Sequence, residues 1–80
     1  MSHTPHELSE EFPDAVDKIA ALKRSNAHFA KLADEYHTLN RTLHRIETRI
    51  EPTDDLTEAR LRKQRLALKD EIHAMLSAQD

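Results

Sequence analysis

Glycine, cysteine and tryptophan are all absent from this chain of 80 residues. Each absence excludes something. A chain without cysteine has no disulfide, no cysteine-based zinc site and no iron–sulfur cluster, and it fits a reducing compartment. A chain without glycine lacks the usual residue for tight hairpin turns and for loops that cradle phosphate, which argues against sheet architectures and nucleotide-binding loops. Aromatic residues are scarce, with one Tyr and two Phe, so a large globular core is not expected. No apolar run approaches the length of a membrane span. The first residues show no basic segment followed by an apolar one, so no signal peptide is expected, and the chain reads as cytoplasmic.

What is present is helical. Phe29, Leu32, Tyr36, Leu39, Leu43, Ile46 and Ile50 recur at alternating spacings of three and four, the stripe of a helix that buries a narrow face against another helix. The spacing predicts a long helix over about 27–51, ended by Pro52, since proline disfavours α conformation in the preceding residue. Thr53, Asp54 and Asp55 then supply a cap and first-turn charge for a second long helix over about 55–77. Its apolar residues are Leu56, Leu61, Leu68, Ile72, Met75 and Leu76, with Leu66 off that face.

A short connection folds the pair into an antiparallel hairpin. With the turn near Thr53, Ile46 meets Leu61, Leu39 meets Leu68, Tyr36 meets Ile72 and Leu32 meets Met75. One rung is imperfect: Leu43 meets Arg65, which must lay its stem across the leucine or find a carboxylate. Pro13 suits the first position of a shorter preceding helix over about 14–24. Ser25 and Asn26 favour a break before Ala27, the alternative being one continuous helix with both facing solvent. The expected fold is therefore all-α: one hairpin domain over residues 12–80 with coiled-coil-like packing, preceded by a flexible acidic arm over 1–11. Val16, Ile19, Leu22 and Leu66 fall outside the hairpin seam. Either the short helix caps the hairpin or these residues face a second subunit, and a chain this small is expected to form at least a dimer, or a four-helix assembly of two hairpins.

The net charge of −3 conceals a gradient, from an acidic front to a mildly basic middle. His37, Arg41, Arg45 and Arg49 recur every four residues as a candidate basic stripe. Arg60, Arg62, Lys63, Arg65 and Lys69 form a second basic cluster. A phosphate backbone could supply their counter-charge, but so could Glu47, Glu51 and Glu58, and the acidic total and scarce aromatics weigh against nucleic acid. His44 and Glu47 are spaced to share an ion, yet no third ligand is evident, so no metal site and no cofactor is expected. With no nucleophile motif and no pocket expected in a hairpin, the chain reads as non-enzymatic, with no small-molecule substrate.

Several residues carry a family resemblance. Phe12-Pro13, Ile19, Leu22-Lys23, Asn26, His28-Phe29, Leu32, Tyr36 and Leu39 are spaced as in the YdcH-like proteins, small bacterial proteins grouped as a domain of unknown function. The run from Leu61 to Ile72 resembles them further, through Lys63-Gln64-Arg65-Leu66 and Leu68-Lys69-Asp70-Glu71. The chain departs from the family at Ala15-Val16 and in using Pro52-Thr53-Asp54 where a glycine-containing linker is common. The resemblance implies a self-associating helical hairpin of the bacterial cytosol and brings no activity. It directs attention to Lys63, Gln64, Arg65, Lys69 and Asp70 as a candidate interaction surface, with Arg65 and Asp70 clasping a second subunit or a protein partner.

Overall fold

The structure is a computed structural model that describes residues 5–48 and 52–78. Among the described residues every element is helical: α1 (Leu8–Glu11), a 3-10 turn at Pro13–Ala15, α2 (Val16–Ser25), α3 (Ala27–Glu47) and α4 (Asp55–Ala78). No helix is long and apolar enough to cross a membrane. The helices α3 and α4 form the antiparallel hairpin, and α2 folds back along the N-terminal half of α3. The longest dimension, 40 Å, is close to the ~36 Å that α4 spans at the usual rise of an α-helix.

Local chemistry sets the boundaries. Asn26 leaves helical conformation at φ −134° and ψ 108°, and its side-chain oxygen accepts from the Phe29 N–H at 3.0 Å. The break between α2 and α3 is therefore an N-cap. Asp54 caps α4 in the same way, accepting from the Thr57 N–H at 2.6 Å, and this bond holds its carboxyl below the ordinary range. The last described residue of the first long arm is Thr48, whose hydroxyl donates to the His44 carbonyl at 2.8 Å. Arg49, Ile50 and Glu51, expected in that helix, lie outside the described residues.

The core sits at the end of the hairpin away from its connection. Phe29, Leu32, Ala33 and Tyr36 of α3 close over Ile72 and Leu76 of α4, with Ile19 and Leu22 of α2 packed on top. Packing of the short helix on the hairpin thus buries its own Ile19 and Leu22, while Val16, Leu66 and Leu56 remain exposed. Leu56 fails to join the seam because it is out of phase with the spacing Leu61, Leu68, Ile72 and Leu76. The Arg65–Asn40 and Arg62–Glu47 bonds fall on either side of the register expected from the sequence.

Residues 5–11, read as part of a flexible arm, are packed on the hairpin, whereas residues 1–4 lie outside the described residues. Leu8 is buried in the core and Phe12 stacks on His73 with ring centroids 5.7 Å apart. A single apolar residue has no periodicity to detect, yet it anchors this segment because polar partners surround it.

Candidate interaction surfaces

The hairpin has two broad faces, and the chain treats them differently. The first is closed by residues 5–25. Its centre is Asn40, which is only 1% exposed. The Asn40 amide nitrogen donates to the Pro5 carbonyl at 2.8 Å and reaches Glu7 Oε1 at 3.5 Å, and its oxygen accepts from Arg65 Nη1 at 3.2 Å. One side chain thereby joins the N-terminal segment, α3 and α4. Tyr36 adds a bond from its hydroxyl to the His6 carbonyl at 2.6 Å. Burial, followed by the negative charge of Glu11, pushes the Tyr36 hydroxyl up to about 12, so it remains a donor across the neutral range. His6 adopts φ 63°, the left-handed region usually taken by glycine, and so turns its carbonyl toward Tyr36 in a chain that has no glycine.

Ionic contacts border this polar centre. Lys69 Nζ meets Glu11 Oε1 at 2.8 Å, and that hydrogen bond holds the Glu11 carboxyl below its ordinary value. His37 Nδ1 lies 3.2 Å from Glu7 Oε2. Arg62 meets Glu47 at 3.1 Å and also pairs with Glu58. Arg65 lies 4.0 Å from Glu47 while bonding Asn40, so the imperfect rung is resolved inside the chain by an amide and a carboxylate. Among the described residues no buried side-chain nitrogen or oxygen lacks a partner.

The second face is a groove between α3 and α4 of about 610 Å³. Its floor is Leu39, Leu61 and Leu68, all half-buried. Its lips are Thr38 and Thr42 on α3, and Gln64 and Ala67 on α4. Asp34 and Glu35 stand at the end away from the hairpin connection. Thr38, Thr42 and Ala67 contribute short side chains to the lips.

The residues singled out in the sequence do not form single patches. Lys63 and Asp70 are exposed and, seven positions apart, share the outward side of α4. Arg65 and Lys69 turn toward the N-terminal segment, and Gln64 lines the groove. The basic stripe also divides. Steps of four residues advance about 40° beyond a full turn each time, so such a row winds around its helix. His37 therefore meets Glu7 on the closed face, Arg41 is exposed, and Arg45 reaches Thr42 at the groove lip at 3.3 Å. Arg49 lies outside the described residues. Among the described residues no group of three or more His, Asp or Glu is arranged to hold a metal ion.

Asn40 was not anticipated. Its signal was a residue with poor helix propensity in the middle of a long helix, one position from Leu39 and three from Leu43, on the edge of the apolar stripe.

A family model described as a protein of unknown function (DUF465) matches residues 29–76, more than half of the chain. The groove lies wholly within the matched stretch, and the N-terminal segment that closes the opposite face precedes it. No curated protein and no solved structure matches the chain.

Proposed function

The chain belongs to the DUF465 family, and on that premise we propose that it is a non-enzymatic, self-associating interaction module that docks helices along the open face of its hairpin. The observation that carries this reading is the groove floored by Leu39, Leu61 and Leu68 between threonine, glutamine and alanine lips. Full burial of a leucine contributes about 1.5–3 kcal/mol relative to exposure, so covering three half-buried ones is worth a few kcal/mol. For a domain of 80 residues that is a large share of the total stability. The compartment this reading assumes is the cytoplasm, which the resemblance to small bacterial proteins implies. Sedimentation equilibrium across a hundredfold range of protein concentration tests the reading. A mass rising above that of one chain supports it, and one-chain mass throughout the range defeats it.

The nucleic-acid reading draws on the exposed Arg41 and Arg45. It has less support, because His37, Arg62 and Lys69 each meet a carboxylate and Arg65 is engaged by Asn40. A mobility-shift titration at two salt concentrations separates the readings: phosphate binding requires affinity that falls steeply with salt.

A further inference from the structure

The groove carries a charge pattern along its length that its lining alone does not reveal. Arg45 lies three residues beyond Thr42 on α3, and Arg60 lies four residues before Gln64 on α4. Residues three and four apart share a helix face, so both arginines continue the groove lips toward the hairpin connection. At the other end stand Asp34 and Glu35, joined by Glu71, four residues beyond Ala67. Arg45, Arg60, Asp34, Glu35 and Glu71 are all exposed. Lys31 lies one turn further out on α3, beyond the acidic group. The groove is thus basic at one end, apolar in the middle and acidic at the other.

A surface that is basic at one end and acidic at the other is complementary to itself when turned end for end. Building on the self-association proposed above, we infer that the occupant of the groove is a second copy of this chain, packed face to face about a two-fold axis perpendicular to the helices. In that arrangement α3 crosses the second copy's α3 antiparallel. Arg45 then meets the second copy's Glu35, and Thr42 meets its Thr38. Helix α4 does the same with Arg60 against Glu71 and Gln64 against Ala67. The midpoint of the α3 pairs falls at residue 40 and that of the α4 pairs between residues 65 and 66. Asn40 and Arg65 are hydrogen-bonded at 3.2 Å, so the two midpoints lie side by side and one axis satisfies both helices. A parallel arrangement about an axis along the helices would set arginine against arginine and carboxylate against carboxylate. The product is an antiparallel four-helix bundle in which Leu39, Leu61 and Leu68 of both copies form a second core layer.

Two charge-reversed variants test this arrangement by mixing. Arg45→Glu with Arg60→Glu makes both ends of the groove acidic, and Glu35→Lys with Glu71→Lys makes both ends basic. All four positions are exposed, so circular dichroism should show unchanged helicity. Each variant alone should dimerise roughly 10–100-fold more weakly than the wild type, since four contacts per dimer turn from attraction to repulsion. An equimolar mixture should recover dimers containing one copy of each. Variants that keep the wild-type mass overturn the groove as the interface while leaving self-association in place. A mixture that stays at the mass of one chain overturns the antiparallel geometry. A wild-type chain of single-chain mass at every concentration removes the self-association reading itself, and this inference with it.

Discussion

The closed and open faces of the hairpin are made from the same two helices, yet they hold their neighbours by opposite means. The closed face seats its own N-terminal segment with directional bonds, from Asn40 to Pro5 and Arg65 and from Tyr36 to His6, over an apolar base to which Leu8 contributes. The open face offers three leucines between lips of threonine, glutamine and alanine. Directional bonds fix one partner, because a buried polar group left unsatisfied costs about 1–3 kcal/mol. An apolar floor accepts any helix of the right shape, and selectivity must come from the charges at its ends. One face is thus closed by the chain itself and the other stays open, and the proposed assembly uses the open one.

The largest expected effect lies beneath the closed face. Phe29 is fully buried there, and Phe29→Ala should lower unfolding free energy by about 3–5 kcal/mol in denaturant titration. Asn40→Leu should cost about 1–3 kcal/mol, because the Pro5 carbonyl and the Arg65 guanidinium lose their partner. Adding Arg65→Leu to that variant should destabilise less than the two single changes summed, as expected when a polar pair is replaced by apolar groups. Additive losses would mean that the pair does not act as a unit.

Tyr36→Phe should cost about 0.5–1.5 kcal/mol through the lost bond to His6. It also has a pH signature. A free tyrosine ionises near 10 and the buried Tyr36 near 12, so its contribution is complete below 10 and is lost as pH rises from 10 toward 12. The Phe variant should lack that alkaline loss. The smallest expected effect lies at the border of this face. The Glu11 carboxyl is held below 4.5 by Lys69, so its contribution is present above 4.5 and is lost on acidification through its folded value. Glu11→Gln should flatten that acid limb and, by removing a negative charge that helps raise Tyr36, should also make the alkaline loss smaller and end it at lower pH.

Much of this architecture was legible in the sequence because it rests on periodicity. The seam from Phe29 to Ile46, the cap at Asn26, the start of α4 at Asp55 and the register across the turn all follow from spacing and capping chemistry. The position of residues 5–11 did not, since it depends on Leu8 and on backbone carbonyls of Pro5 and His6, which no side-chain pattern announces. The candidate surface residues divide between faces for a geometric reason. Adjacency in Lys63-Gln64-Arg65 distributes side chains around a helix, so one run supplied the outward side, the groove and the closed face in turn. The groove is hidden in the sequence because its residues come from two helices, and only Leu39, Leu61 and Leu68 stand out there, as seam residues.

Sedimentation equilibrium on two single variants tests the division between the faces most directly. Ala67→Lys places a long charged side chain on the groove lip, and Asp70→Lys places one on the outward side of α4, both at exposed positions. With helicity matched to the wild type, the Ala67→Lys chain should fall to the mass of one chain while Asp70→Lys remains dimeric. A dimeric Ala67→Lys chain alongside a monomeric Asp70→Lys chain would contradict the account and return the interface to the outward side.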